Sequence, residues 1–154
     1  MKKKLLLILI CIFALNISTS SAAKKFNVDS AAIGGITIGA GSEYIKSIYG
    51  EPGNIRVHES EQDVKTETWY YGDSFQIDIV EGIVTSLVTS GANGLTTPEG
   101  ITVGMNKKDM TSKYGKPTQS DKYGNRAIYT YKSDNGVEML FVVNDGIISE
   151  IRIN

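Results

Sequence analysis

A single cysteine, Cys11, stands in the 154 residues, inside an apolar run over positions 5–15. Any domain downstream of it has no disulfide to stabilise it and no thiol for catalysis. Nor is Cys11 placed for lipid attachment, which wants a small residue just before the cysteine, where Ile10 stands. Histidine is as scarce, with His58 alone, and no Gly-x-Ser-x-Gly elbow accompanies it to suggest a serine-type triad. Long apolar runs are missing too, since residues 5–15 fall well short of the roughly 20 that span a bilayer. An excess of positive charge is also absent. Without residues 1–23 the balance is 13 basic against 17 acidic residues, a net charge of −4. That balance argues against nucleic acid or anionic lipid as the main partner.

What is present begins with a targeting signal. Lys2, Lys3 and Lys4 precede the apolar run, and small residues lead to Ser21-Ala22-Ala23 before Lys24. The pattern predicts a signal peptide over residues 1–23, cleaved after Ala23. The product is then secreted or periplasmic, with no stable membrane insertion. The whole chain is 41% hydrophobic and 21% charged, too apolar for a disordered polymer, and its 16 glycines suit a strand-rich fold.

One stretch occurs twice and organises the rest. Residues 36–52 return as residues 101–117 without a gap, at an offset of 65, with seven of seventeen positions identical. Each copy has a glycine (Gly39, Gly104), a short helical pattern, and then Tyr-Gly-x-Pro (Tyr49 to Pro52, Tyr114 to Pro117). Gly41 or Ser42 serves as the first N-cap, and Asn106 serves as the second with Asp109 in its first turn. Tyr44, Ile45, Ile48 and Tyr49 have the spacing of one helical face. Gly50 and Gly115 suit a backbone with positive φ that closes a helix, and the proline two residues on cannot continue it. Helices of about two turns are unstable alone and need cover.

The cover comes from strands. Residues 66–71, 75–81 and 83–89 read as an antiparallel meander, and residues 126–131, 137–143 and 147–153 repeat it. The expected fold class is therefore α+β: two tandem helix-plus-antiparallel-meander repeats forming one sheet, with short helices on one face. Residues 24–35 read as a lead-in, 36–89 as repeat 1, 90–100 as a linker and 101–154 as repeat 2. Alternation assigns Trp69, Tyr71, Phe75, Ile77, Ile79 and Leu87 to the helix side, with Tyr129, Tyr131, Met139, Phe141, Val143 and Ile151 in the second copy. On the opposite face the first copy is mostly polar, with Tyr70 and Asp78. The second carries Ile128, Leu140, Val142 and Ile148, an apolar group on a face that should be wet. Either a loop or the N-terminal segment covers that group, or a partner does.

The tandem Tyr-Gly-x-Pro helices, the Tyr-x-Tyr strands (Tyr129, Tyr131) and the acidic-Gly-apolar-apolar hairpins (residues 81–84 and 145–148) resemble a known superfamily. It groups the β-lactamase inhibitor protein with the SmpA/OmlA outer-membrane assembly lipoproteins. Residues 97–105 are also similar to the domain that precedes CAP-type secreted domains in Gram-positive bacteria. The resemblance covers residues 36–153. It implies a sheet built half from each repeat, short helices on one face, and a curved open face that binds protein. Two departures separate this chain from the named activities: the inhibitors carry disulfides, and the assembly lipoproteins need an acylated cysteine. No functional residue is carried over from either group.

Catalytic chemistry finds little support. His58 has Glu59, Glu61 and Asp63 nearby as oxygen donors for a metal, but an acidic loop beside one histidine is ordinarily just solvated. The glycine-rich residues 34–41 lack the Lys-Ser/Thr of a phosphate loop and are better explained by turn geometry. The expectation is a non-enzymatic module with no catalytic residue, cofactor or metal, which binds an extracytoplasmic protein through Tyr70, Asp78, Ile128, Leu140, Val142 and Ile148. The alternatives are a small envelope hydrolase or metal-dependent enzyme using His58 and the acidic loop, and a homodimer formed through the apolar patch.

Overall fold

A computed structural model of the chain describes residues 26–58 and 64–154. The signal segment and the acidic residues Glu59, Glu61 and Asp63 lie outside the described residues. The lead-in enters through a single 3-10 turn at Val28–Ser30. A tight hairpin follows, β1 (Ala32–Ile33) and β2 (Ile36–Thr37), closed by Gly34 and Gly35 at φ of 57° and 83°. Two glycines suit this turn because both central positions need positive φ. Repeat 1 continues with α1 (Ser42–Tyr49), β3 (Asn54–His58), β4 (Thr66–Tyr71), β5 (Phe75–Val80) and β6 (Ile83–Thr89). Repeat 2 gives α2 (Lys107–Tyr114), β7 (Gln119–Tyr123), β8 (Arg126–Lys132), β9 (Glu138–Asn144) and β10 (Ile147–Ile153).

Among the described residues, eight strands make one antiparallel sheet in the order β3-β4-β5-β6-β10-β9-β8-β7. Each repeat thus contributes four neighbouring strands, and the last strand of each forms the seam. There Val88 pairs with Arg152, its own counterpart at an offset of 64, with Leu87 opposite Ile153 and Thr89 opposite Ile151. Equivalent residues face each other across a local two-fold axis normal to the sheet, so both helices fall on the same side. The meander strands match the expected ranges within a residue. The edge strands β3 and β7 were not anticipated.

The hairpin turns dock each helix in the same way. Glu81 and Asp145 both have φ of 49° and are followed by glycines at 78° and 84°, the backbone of two-residue hairpin turns. Gly82 O accepts from Ser42 N at 2.8 Å, and Gly146 O accepts from Lys107 N at 2.9 Å. Gly41 caps α1 without a side-chain bond, whereas Asn106 and Asp109 form a complete capping box on α2. Both helices end at glycines with φ of 76° and an extended ψ, a region essentially closed to other residues. Tyr71 and Tyr131 then donate to the carbonyls of Gly50 and Gly115 at 2.9 and 3.0 Å, which pins each helix terminus to the sheet.

Every residue assigned to the helix side lies there. Ile77, Ile79, Leu87, Met139, Phe141 and Ile151 are fully buried beneath Ile45, Ile33, Ile36 and Met110. Burial of one such side chain contributes roughly 1.5–3 kcal/mol. The apolar stripe on α1 is narrower than its spacing suggested: Ile45 is buried and Tyr49 half-buried, while Tyr44 and Ile48 are 51% and 44% exposed. The lead-in is core, with Phe26, Ala31, Ala32 and Ile33 all buried.

The two halves share one aromatic motif. Tyr49 and Tyr71 sit 5.5 Å apart at 49°, and their counterparts Tyr114 and Tyr131 sit 5.4 Å apart at 49°. Phe75 adjoins the first pair and Phe141 the second. In the second half Phe26 lies over the pair, 6.0 Å from each ring. The segment preceding repeat 1 therefore packs on repeat 2.

Candidate functional site

The face away from the helices is built by registered rows of side chains. One row runs across all eight strands: Asn54, Tyr70, Gln76, Val88, Arg152, Leu140, Thr130 and Gln119. A neighbouring row in the first half reads Arg56, Thr68, Asp78 and Ser86. In the second half the neighbouring row reads Glu150, Val142, Ile128 and Asp121. The described N-terminal segment lies on the helix side, with Phe26 against Tyr114, so it does not cover this face.

Ile128 and Val142 are directly opposed on β8 and β9, and Leu140 is two residues from Val142 on the same strand. These three of the expected contact residues form one apolar patch, with Val88 beyond the seam and Arg152 between it and Leu140. Ile128 and Leu140 are half-exposed, and Val142 is nearly covered by its neighbours. The Arg152–Glu150 and Lys132–Glu138 ion pairs, at 2.9 and 2.8 Å, lie among the surrounding polar residues. Exposed pairs of this kind add little stability.

Ile148 does not belong to this patch. It pairs with Val143, is 1% exposed, and sits in the core on the helix side. Its parity is inverted by a β-bulge: Ile148 faces Val143 but Glu150 faces Val142, which leaves Ser149 as the extra residue. Repeat 1 has the same bulge at Thr85, so Val84 is buried likewise. The two hydroxyls bond equivalent carbonyls, Thr85 to Asp78 O at 3.3 Å and Ser149 to Val142 O at 3.2 Å. The signal available in the sequence was the apolar pair Val84 and Ile148 beside each hairpin, followed by Thr or Ser.

Tyr70 and Asp78 lie on the open face in a separate polar cluster. Four strand spacings separate Tyr70 from Leu140, about 19 Å. Asp78 Oδ1 accepts from Thr68 Oγ1 at 2.8 Å and from Gln76 Nε2 at 3.1 Å. His58 Nε2 lies 2.9 Å from Thr68 Oγ1. Because Thr68 gives its one proton to the carboxylate, the imidazole must be the donor to Thr68. That polarity is opposite to what a histidine base activating a threonine nucleophile needs. Arg56 stacks 5.8 Å over the Tyr70 ring, and these side chains line a shallow hollow of about 510 Å³. Arg56 and the position of His58 escaped the sequence reading because β3 did. The alternation of Ile55 and Val57 was the available signal.

Among the described residues no group of three or more His, Cys, Asp or Glu could hold a metal ion. Nor is any described helix long and apolar enough to cross a membrane. The groups whose ionisation shifts are tyrosines on the helix side. Burial raises Tyr49 and Tyr71 above the usual value and pushes Tyr114 and Tyr131 up to about 12.

No family model and no curated protein matches the chain. Among solved structures, its fold is similar to that of an extracellular protein containing an SCP domain from Bacillus anthracis strain Ames. That likeness has a TM-score of 0.50 and 20% identity, over 84% of this chain and 48% of the other. This chain thus spans about half the length of that protein, and the likeness is one of fold. A DUF4309 family protein from Bacillus subtilis gives a TM-score of 0.43 at 13% identity, over 78% of this chain and 82% of its own. A β-lactamase-inhibitor-like protein from Streptococcus mutans gives 0.33 at 10% identity, over 75% and 82%.

Proposed function

We propose that the chain is a secreted or periplasmic, non-enzymatic protein-binding module, inhibitor-like or assembly-like, that uses the open face of its sheet. The observation that carries this reading is the patch of Ile128, Leu140 and Val142 on a face with no helix over it. Water in contact with grouped apolar side chains is a standing cost, and contiguous patches of this kind mark association sites. Tyr70 and Asp78 lie farther along the same face and would meet a broad partner. Tyr70 is half-buried, with Arg56 over its ring, and tyrosine and arginine are both enriched among interface anchors.

Leu140→Asp tests the reading, because a half-exposed strand residue tolerates a charge that an apolar interface does not. The variant should keep its thermal unfolding midpoint within a few degrees. Capture from the organism's envelope and culture medium should retain a protein with the wild-type chain and lose it with the variant. Retention of the same protein by both would move the site elsewhere. Self-association of the wild type, lost in the variant, would make the patch a homodimer interface.

The hydrolase or metal-enzyme reading has one observation in its favour, the linked His58, Thr68 and Asp78. Calorimetric titration with zinc and calcium ions addresses it. The expected outcome is no uptake, and stoichiometric binding lost in His58→Ala would favour the enzyme.

A further inference from the structure

The aromatic motif on the helix side is complete in one half of the molecule and open in the other. In the second half Phe26 closes it, and its walls Tyr114 and Tyr131 are 3% and 1% exposed. In the first half the equivalent walls Tyr49 and Tyr71 keep the same mutual geometry and are only half-buried. Beside them lies a hollow of about 180 Å³ lined by Tyr49, Tyr71, Phe75, Asn93 and Leu95.

The repeat explains the vacancy. At an offset of 65 the counterpart of Phe26 is Gly91, on the segment that leads into repeat 2. This segment passes over repeat 1 at the matching place, with Ser90 N bonded to Ser74 O and Asn93 Nδ2 to Ser74 Oγ. A β-carbon on Gly91 would fall 2.5 Å from Ser74 Cβ, so no side chain from that position can enter. The tyrosine hydroxyls are already spent on the carbonyls of Gly34 and Gly50. The hollow therefore offers ring faces and the Leu95 side chain, with only the Asn93 amide at its rim. Its volume suits one aromatic ring, since a dry apolar cavity of roughly 150 Å³ accepts benzene.

We propose that this hollow is a receptor for a single phenylalanine-type side chain presented by a partner polypeptide. The sister site shows the occupant's chemistry: a phenyl ring delivered from the residue before the N-cap of a 3-10 turn, tilted against two tyrosines. A lone ring has too few atoms to bind tightly, so the hollow serves as an anchor point within a larger contact. This site is on the opposite side of the sheet from the apolar patch and stands or falls independently of it.

Protein-detected NMR titration with N-acetyl-phenylalaninamide tests it, with N-acetyl-alaninamide as the control. The phenyl probe should shift the Tyr49, Tyr71, Phe75 and Leu95 side-chain signals with millimolar affinity and leave Phe26, Tyr114 and Tyr131 unmoved. A peptide with the sequence of residues 24–31 should bind the same hollow at least tenfold more tightly. Leu95→Phe fills the hollow from within and should remove both responses. If that variant is not folded, judged by its Phe26 and Tyr114 signals, Asn93→Phe at the rim serves instead. Equal affinity for amide and peptide would overturn the polypeptide assignment and leave a site for a small aromatic molecule. No shift at the hollow, equal shifts by the alanine control, or displacement of Phe26 would overturn the receptor itself.

Discussion

The two repeats use the same backbone and bury the same kinds of side chain, yet they distribute exposed apolar surface in opposite ways. Repeat 1 is polar on the open face, where Thr68 and Gln76 both donate to the Asp78 carboxylate. On the outer flank of α1 and on the edge strand β3 it exposes Tyr44, Ile48, Ile55 and Val57, between 42% and 61%. Repeat 2 carries Asp109, Lys113, Ser120 and Lys122 at those four positions, exposes Tyr123 at the end of β7, and groups Ile128, Leu140 and Val142 on the open face. Lysine on an edge strand is a known guard against strand-to-strand association, and β3 has none. Core positions are held by packing alone. Outside the core the turn and helix-end residues such as Gly50 and Gly115 are kept, while these surface positions diverge.

The comparison can be broken most forcefully at the bulge. Ile148→Asp buries a charge in the core and should cost more than about 4 kcal/mol, leaving the protein unfolded in circular dichroism. Leu140→Asp, eight residues earlier on the open face, should cost about 1 kcal/mol or less. Similar costs for the two would mean the faces are misassigned. Phe26→Ala comes next. Emptying the closed aromatic site should destabilise by about 3–5 kcal/mol in urea unfolding and make the second half resemble the first.

Alkaline titration sharpens the same contrast. Burial pushes Tyr114 and Tyr131 up to about 12, against about 10 in an unfolded chain. The folded state then holds protons that the unfolded state releases, so this stabilisation is complete below about pH 10 and is lost as the pH rises toward 12. Urea midpoints measured at rising pH should fall through that window. In Phe26→Ala, tyrosinate absorbance should appear at lower pH. The smallest effect is expected for Val57→Lys on β3, within about 0.5 kcal/mol in stability. It should abolish any concentration-dependent association seen by light scattering.

Much of this architecture was legible because the repeat supplied two independent readings of each element. The helices, their glycine ends, the Asn106 cap and the six meander strands all followed from local chemistry that each copy states for itself. Strand β7 was hidden because Gln119 to Tyr123 shows no alternation, whereas β3 was missed although Ile55 and Val57 alternate, because both point to solvent rather than to a core. Ile148 was misplaced because alternation counted back from Ile153 passes through Ser149 without noticing the extra residue. The lead-in, a mix of polar, small and Gly residues, shows no period, so only the tertiary fold shows that Phe26, Ala31, Ala32 and Ile33 are buried. The patch of Ile128, Leu140 and Val142 was visible because apolar residues on an alternating strand's wet side break the expected pattern.

The seam has a consequence for how the molecule is made. β10 is the last strand of repeat 2, and among the described residues it alone joins the second half of the sheet to the first. Partners across it, such as Val88 and Arg152, are 64 residues apart in sequence. A polypeptide emerging amino-end first can form the repeat 1 meander early, but the site that Phe26 occupies in the fold, against Tyr114 and Tyr131, does not exist until repeat 2 does. The early half must therefore wait, with β6 unpaired on one side, until β10 arrives. Completion is then cooperative, because zipping the seam and seating Phe26 depend on the same late half. An interruption before repeat 2 is made leaves β6 with an open edge and the Phe26 ring unseated.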